Sequence, residues 1–148
     1  FHLWKMGRVV DGNAIRCPRT MAALEGAPMP DQPGRTPSAM FSLLKPQTRI
    51  PPHNGVTNVR LVTHLPLIIP EHCMFRVGND VREWVPGRAW VFDDTIEHEA
   101  RNDSDKLRVV LIFDVWHPHL TPAERALITA MTRGVNAFSG GAIGFGES

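Results

Sequence analysis

Three side chains in the sequence could together support metal-dependent oxidation. His53 follows two prolines, His98 stands between two glutamates, and Arg108 comes ten residues after His98. In a non-haem Fe(II) oxygenase, two histidines hold the iron and leave positions open for O2 and 2-oxoglutarate, and an interior arginine pairs with the distal carboxylate of that cosubstrate. The spacing by itself is a weak signal, because such sites usually add a carboxylate two residues after the first histidine, and Gly55 occupies that position.

Arg108 stands at the start of a strongly apolar segment, beside Val109–Phe113. A buried charge without a partner is costly, so this guanidinium needs an anion if its face of the segment is buried. Asp93, Asp94 and Asp114 are internal candidates, and pairing with one of them would make Arg108 a structural residue. A small carboxylate ligand is the functional alternative, because the guanidinium fork binds a carboxylate through two hydrogen bonds.

These side chains require a scaffold of short strands. Residues alternate between two faces in Leu107–Trp116, so that Arg108 and Asp114 share one face with Val110 and Ile112. Other segments with strand character, separated by turn residues, are Val59–Leu67, Cys73–Val77 and Arg88–Phe92. Short strands with turns between them and without alternating helices predict an all-β sandwich or barrel.

The chain divides into four predicted segments. They are an irregular N-terminal extension that packs on the barrel, a catalytic core, a C-terminal helix and a Gly-rich tail, at residues 1–38, 39–120, 121–134 and 135–148. The extension is rich in proline and is expected to hold one short helix near Thr20–Glu25. Thr121 and Glu124 form a capping box that starts the C-terminal helix, and Gly134 is placed to end it. The tail is expected to be loose.

The composition excludes several classes of protein. The chain has 148 residues, with 16 Lys and Arg against 15 Asp and Glu, so it lacks the positive charge that attracts nucleic acids or anionic membranes. Its apolar runs are too short to cross a bilayer, and no signal peptide is recognisable. Cys17 and Cys73 are too few for a disulfide framework. These features predict a soluble, cytoplasmic domain, and a first residue other than Met indicates a piece of a longer polypeptide.

Longer motifs carry a family resemblance. They run from Ser42 to Arg125 in the order PHNGVTNVRLVTHLPLIIPEHC, W-x2-G, VFDDTIEHEARN and LRVVLIFDVWHPHLTPAER. In this order and spacing they resemble the aspartyl/asparaginyl β-hydroxylase family. The resemblance implies a cupin-like double-stranded β-helix, the jelly roll of 2-oxoglutarate oxygenases. It also implies Fe(II), 2-oxoglutarate and O2 as cofactors, and hydroxylation of an unactivated carbon, in this family the β-carbon of an Asp or Asn residue.

The resemblance assigns the iron to His53 and His98. Two prolines before His53 would by themselves favour an exposed turn, and the motif favours a metal ligand instead. The family also explains Gly55, because it has glycine where related oxygenases carry the acidic ligand, and water fills the vacant iron position. From the residues alone, a nearby carboxylate stays open as a third ligand, since Fe(II) accepts oxygen donors. The candidates are Asp93, Asp94 and Glu97.

Five further residues receive roles from the same resemblance. Arg108 falls at the 2-oxoglutarate anchor, where Ser42 assists it. His64 falls near the other end of the cosubstrate, although a structural role for a hydrogen-bonded interior histidine is an alternative. Asp94 matches an acid that faces the substrate, and Arg60 matches a basic residue near that acid.

Two groups of residues have a structural interpretation. His117 and His119 flank a proline just before the helix cap, which indicates a strand-to-helix corner rather than a metal pair. Three tryptophans are predicted to pack in the core or at its rim; they are Trp84, Trp90 and Trp116.

Functions of other classes are alternatives to the oxygenase. One is a jelly-roll binding or regulatory domain without turnover, and another is a cupin-like metal enzyme that does not use 2-oxoglutarate. A related branch hydroxylates fatty acyl chains, so the substrate could be a peptide or protein, a free amino acid or a lipid. Val62 stands where the animal members have an arginine that contacts cosubstrate and substrate, which argues against peptide recognition of the animal kind.

Overall fold

Two antiparallel sheets form the scaffold in a computed structural model that describes residues 1–139. Its strands are β1 (His2–Lys5), β2 (Arg8–Val9), β3 (Ala39–Leu44), β4 (Thr48–His53), β5 (Arg60–Ile68), β6 (Cys73–Val77), β7 (Asp80–Arg82), β8 (Trp90–Phe92), β9 (His98–Asn102) and β10 (Arg108–Trp116). Its helices are α1 (Asp11–Ala14), α2 (Pro18–Glu25) and α3 (Pro122–Phe138).

The connections between the sheets are those of a jelly roll. The larger sheet has the order β2-β1-β3-β10-β5-β8, and the smaller sheet has the order β4-β9-β6-β7. From β3 to β10 the chain crosses repeatedly between the two sheets, which is how a jelly roll is wound. The prediction of an all-β jelly roll with a C-terminal helix is therefore confirmed.

Strand β10, in the middle of the larger sheet, has two differently packed faces. Val110 packs with Phe75 and Ala100 of the smaller sheet, in the core between the sheets. Leu111, the next residue, packs on the opposite side against the N-terminal segment. Arg108 lies on the same face as Val110 because side chains alternate along a strand. The predicted alternation is confirmed, and it places a guanidinium inside the jelly roll.

Strand β4 brings a histidine to the edge of the smaller sheet. Pro51 and Pro52 lie within this strand, and an edge strand tolerates proline because one side of it needs no ladder hydrogen bonds. After an irregularity in the pairing, His53 lies opposite His98 of β9. The two prolines therefore lead into the end of a strand rather than into a turn.

The N-terminal segment is more regular than the sequence predicts. Four short elements occupy residues 2–25 (β1, β2, α1 and α2), and β1 pairs with β3, so it extends the larger sheet. The short helix predicted near Thr20–Glu25 is present as part of α2, whereas β1, β2 and α1 replace the irregular structure predicted before it. Leu3 and Leu24 pack with Leu111 on the outer face of that sheet, as expected for an extension that covers the barrel. Elements of two to eight residues are too short to show a period in the sequence.

Helix α3 continues beyond its predicted end. The capping box between Thr121 and Glu124 is present, but the helix runs through Gly134 to Phe138. A glycine within a helix costs only about 1 kcal/mol relative to alanine, and hydrogen bonds from Thr129 and Asn136 to carbonyls of the N-terminal segment fasten this helix. Residues 140–148 of the predicted tail lie outside the described residues. Within residues 1–139, the helices lack the length and apolar character needed to cross a membrane.

Candidate active site

His53 and His98 lie opposite each other on neighbouring strands of the smaller sheet. Their ring centres are 4.1 Å apart, and the ring planes are inclined by 55°. His53 is exposed and His98 is buried, so the pair lies where the core between the sheets opens to solvent. The structure brings together the two residues predicted to bind iron.

Both rings are oriented by backbone carbonyls. The Nδ1 atom of His53 lies 2.8 Å from the oxygen of Pro51, and that of His98 lies 2.9 Å from the oxygen of Ile96. A carbonyl oxygen can only accept, so each Nδ1 carries the proton and donates it. Each Nε2 therefore keeps a lone pair, which is the state that a metal ligand requires. Burial also lowers the pKa of His98 below its ordinary value, which favours this neutral form.

The carboxylates near this pair have other partners. Asp93 accepts hydrogen bonds from Thr95, and Glu97 pairs with Arg76. Asp94 pairs with an arginine on β5, described below. Among residues 1–139, no third His, Cys, Asp or Glu completes a metal-binding cluster with the two histidines. The geometry therefore offers two protein ligands, and ligation by a nearby carboxylate gains no support.

Gly55 lies against the Asp94 carboxylate. Its amide donates a 2.6 Å hydrogen bond to the backbone oxygen of Asp94, and a Cβ atom built at Gly55 would overlap the carboxylate of that aspartate. The space that a side chain at position 55 would need is thus occupied by a carboxylate from another segment. Glycine is required at this position on steric grounds alone.

Substitution of Gly55 by alanine is expected to lower the free energy of unfolding by about 1–3 kcal/mol, the usual cost of forcing extra atoms into a packed site. The added methyl group would displace Asp94 and disturb its ion pair. Urea denaturation measures the change. Gly12→Ala is the matched control, because no atom lies within 4 Å of its built Cβ. Equal loss of stability in the two variants would contradict the steric argument.

Arg108 is buried, with 1% of its surface exposed. Its Nη1 atom donates to the hydroxyl of Ser42 at 3.2 Å and to the carbonyl of the same residue at 3.3 Å, and its guanidinium carbon lies 4.8 Å from the centre of the Trp84 ring. The Nε atom is buried without a hydrogen-bond partner. Burial lowers the pKa of Arg108 to about 10, so the group stays charged at neutral pH.

The internal acids that could neutralise Arg108 belong to a different arginine. Arg60 lies 2.9 Å from Asp94 and 3.4 Å from Asp114, and all three side chains are largely buried. Within the described part of the chain, no carboxylate lies within 4.0 Å of Arg108. The interpretation of Arg108 as a structural ion-pair partner is therefore wrong, and Arg60 has that structural role.

His64 lies in an aromatic part of the core. Its ring centre is 4.9 Å from that of Phe75, 5.2 Å from that of Trp90 and 5.1 Å from that of Phe92. Burial, together with the nearby charge of Arg108, lowers the pKa of His64 to about 3. The imidazole is therefore neutral under all ordinary conditions.

The neutral His64 should make the protein less stable in mild acid. Its pKa is about 3 in the folded chain and about 6.5 when unfolded, so below pH 6.5 the unfolded chain binds a proton that the folded chain does not. The contribution of His64 is fully present above pH 6.5 and is lost at about 1.4 kcal/mol per pH unit as the pH falls towards 3. As the pH falls from 5.5 to 4, the free energy of unfolding measured in urea should decrease less steeply for His64→Gln than for the wild type. The difference in slope should be about 1.4 kcal/mol per pH unit. Parallel profiles would contradict the assignment.

A groove borders this site on the side of β8. Its volume is about 470 Å³, and its wall includes the half-exposed side chains of Val85, Val91 and Ile96. Phe92 lines the groove and also contacts the ring of His98, at 5.1 Å between ring centres. The groove is mixed in polarity, because its wall also includes the charged residues Asp80, Arg82, Glu83 and Arg88.

Asn102 supports the segment that leads to Arg108, and the sequence does not single it out. This fully buried residue donates to the carbonyls of Leu44, Lys45 and Lys106, and its carbonyl accepts from Ser104. The bonds join the end of β3 to the loop that enters β10 just before Arg108. Asn102 is an ordinary residue type, and its role depends on contacts between distant segments that the sequence does not reveal.

Trp84 has a role beyond the packing that the sequence predicts for it. The packing expected of it is present, since it belongs to the core between the sheets. It also contacts both Arg108 and His64. The W-x2-G motif, which starts at this residue, was the available signal for such a role. The residue type gave no signal, because indole does not take part in proton transfer or metal binding.

The chain is similar in sequence to known hydroxylases. It is 40% identical over 133 residues to the Mus musculus aspartyl/asparaginyl beta-hydroxylase, a match that covers 88% of this chain and 18% of that protein. It is 42% identical over 126 residues to the Rhizobium tropici ornithine lipid ester-linked acyl 2-hydroxylase, covering 83% of this chain and 43% of that protein. The chain thus spans less than half the length of either relative.

The chain is also similar to solved structures and to a family model. A cupin domain of an Enterobacter cloacae XRE family transcriptional regulator superposes with a TM-score of 0.47 and 11% identity, over 55% of this chain and 82% of that one. The model of the aspartyl/asparaginyl beta-hydroxylase family matches residues 1–118, a range that holds every strand described above and every predicted site residue. Because this match covers well over half of its 148 residues, the chain belongs to the aspartyl/asparaginyl beta-hydroxylase family.

Proposed function

We propose that this protein is a 2-oxoglutarate- and Fe(II)-dependent dioxygenase that hydroxylates an unactivated carbon. The observation that carries the proposal is the state of Arg108, a buried cation whose Nε lacks a partner and which no internal carboxylate neutralises within residues 1–139. A buried charge in that state requires an anion. The distal carboxylate of 2-oxoglutarate fits, because it can accept two hydrogen bonds from the guanidinium fork.

His53 and His98 would hold the metal. Their Nε2 lone pairs are free because each Nδ1 donates to a carbonyl, and two imidazoles leave several positions open for the cosubstrate and for O2. Bound Fe(II) would activate O2 and couple the decarboxylation of 2-oxoglutarate to succinate with the transfer of one oxygen atom to the substrate.

The remaining residues position the cosubstrate and exclude water. Arg108 and Ser42 would bind the distal carboxylate, and His64 would lie near the other end. Because Phe75, Trp90 and the other aromatic rings around His64 exclude water from this region, the charge pair at Arg108 is stronger than it would be in solvent. Asp94 is held by Arg60, and it stays a candidate for contact with the substrate, as does Arg60.

The decisive experiment measures succinate formed from 2-oxoglutarate with Fe(II) and ascorbate. The proposal predicts iron-dependent succinate even without the prime substrate, since oxygenases of this kind turn over slowly when uncoupled. Absence of both iron binding and succinate would favour a binding or regulatory domain. Iron-dependent turnover of a substrate that is indifferent to 2-oxoglutarate would favour a cupin-like metal enzyme.

The first candidate substrate is an Asp or Asn residue of a peptide or protein, and the family membership supports it. An acyl chain is the second candidate. The Rhizobium tropici relative is named for an acyl chain of an ornithine lipid, and the groove beside Phe92 combines half-exposed apolar side chains with charged ones. Mass spectrometry for a gain of one oxygen atom, on matched Asp-containing peptides and acylated lipids, separates the two candidates.

A further inference from the structure

One indole side chain contacts two of the proposed cosubstrate residues. Trp84 lies between β7 and β8 and is 4% exposed. Its Nε1 donates to Nδ1 of His64 at 3.2 Å, and the guanidinium carbon of Arg108 lies 4.8 Å from its ring centre. His64 lies on β5 and Arg108 on the neighbouring strand β10, and Trp84 contacts both side chains. Its own ring is held by Phe75, at 5.3 Å between ring centres.

The hydrogen bond from Trp84 determines which nitrogen of His64 carries the proton. An indole N–H can only donate, so Nδ1 of His64 must accept and cannot be protonated in the neutral ring. The proton of the neutral imidazole is therefore on Nε2, which has no hydrogen-bond partner among residues 1–139. His64 thus presents an N–H donor to a ligand, rather than a lone pair that would repel a carboxylate.

The ring face of Trp84 restricts the second donor group. A guanidinium stacked on an indole is attracted by the negative face of the ring, and it prefers a defined orientation there. The hydrogen bonds to Ser42 hold the same guanidinium from another side. The contact with the ring and the hydrogen bonds to Ser42 together restrict the position of the guanidinium.

We propose that Trp84 is a positioning residue of the 2-oxoglutarate site, which keeps His64 as an Nε2–H donor and holds Arg108 in its receiving orientation. This inference rests on the proposed function, because it concerns the same cosubstrate. Two donors held by one rigid ring suit a ligand with acceptors at both ends, as in a 2-oxo dicarboxylate. A monocarboxylate would satisfy only one of the two donors.

Nitrogen-15 NMR of the histidine rings in the 148-residue chain tests the first half of this inference without turnover. In the metal-free wild type, the ring N–H proton of His64 should be bonded to Nε2, as its one-bond coupling to that nitrogen would show. In Trp84→Phe, which keeps an aromatic ring but lacks the N–H, the Nδ1–H form should become detectable, and the pKa of His64 should rise. Trp4→Phe is the matched control, because Trp4 lies on β1 and packs in the outer cluster.

Calorimetric titration of the anaerobic Fe(II) protein with 2-oxoglutarate tests the second half. Trp84→Phe should weaken binding about three- to tenfold, because part of the protein is then in the wrong donor state, whereas Trp4→Phe should bind as the wild type does. A proton on Nδ1 of His64 in the wild type would overturn the inference even if no variant folds. Unchanged binding in a folded Trp84→Phe protein would also overturn it.

The two proposals fail in different ways. A wild type that binds no 2-oxoglutarate would overturn the proposed function, and the role of Trp84 in the site with it. A wild type that binds 2-oxoglutarate, together with a variant whose His64 keeps its proton on Nε2 and its pKa, would overturn the inference about Trp84 alone.

Discussion

Replacement of Arg108 by glutamine is expected to raise the concentration of 2-oxoglutarate needed for half-maximal turnover about 100-fold. Removal of one partner of a buried, hydrogen-bonded charge pair costs about 2–5 kcal/mol, and 1.4 kcal/mol corresponds to a factor of ten. Glutamine is shorter and stays polar, but it carries no charge. Saturating 2-oxoglutarate should restore most of the turnover, because the two iron ligands are unchanged.

Arg49→Gln is the matched control for this variant. Arg49 lies on the exposed side of β4, with its side chain 71% exposed and 3.7 Å from Asp103, and a surface pair of this kind contributes at most about 1 kcal/mol. The control should keep the 2-oxoglutarate requirement of the wild type. A thermal shift assay adds a second reading, since 2-oxoglutarate should stabilise the wild type and the control but not Arg108→Gln. An unchanged requirement in Arg108→Gln would remove Arg108 from the anchor role.

Replacement of His98 by glutamine is expected to abolish iron-dependent succinate formation and to weaken iron binding more than 100-fold. Loss of a residue that merely orients a metal ligand costs about 10- to 100-fold, and the loss of a ligand should exceed that. The effect should be severe because the described residues offer two protein ligands and no third. Anaerobic Fe(II) titration, followed by the succinate assay, measures both quantities.

The control for His98→Gln comes from the second histidine pair of the chain. His117 and His119 have ring centres 5.0 Å apart, so they too could be mistaken for a metal site. His119→Gln should leave iron binding and succinate formation unchanged. If His119→Gln lost the iron and His98→Gln kept it, the metal would belong to the corner before helix α3, and the assignment to His53 and His98 would be wrong.

The parts of the fold that the sequence predicts depend on local patterns. Alternation along β10 placed Arg108 and Val110 on one inward face, because the period of two is a property of the strand itself. The capping box at Thr121 started helix α3 for the same local reason. The predicted end of α3 at Gly134 is wrong, and in the extension beyond it Asn136 donates to a carbonyl of the N-terminal segment about a hundred residues away.

The same distinction between local patterns and long-range contacts applies to the candidate site. The motifs identified His53, His98 and Arg108, and the register of β4 and β9 brings the two histidines together. The sequence could not show that His53 ends a strand, because two prolines favour a turn until β4 is known to be an edge strand. It also could not show that the space beside Gly55 holds the carboxylate of Asp94.

By itself, the sequence indicated the family, four of the strands and the candidate residues for the chemistry. Only the tertiary structure decided which acid neutralises which arginine. In the sequence, Asp94 and Asp114 were candidate partners of Arg108, and the fold gives both to Arg60. Pairing across 34 residues or more depends on which side chains the two sheets bring within a few ångströms, and a local pattern does not contain that information. For this reason, the unneutralised charge of Arg108 and its contact with Trp84 became visible only in the folded chain.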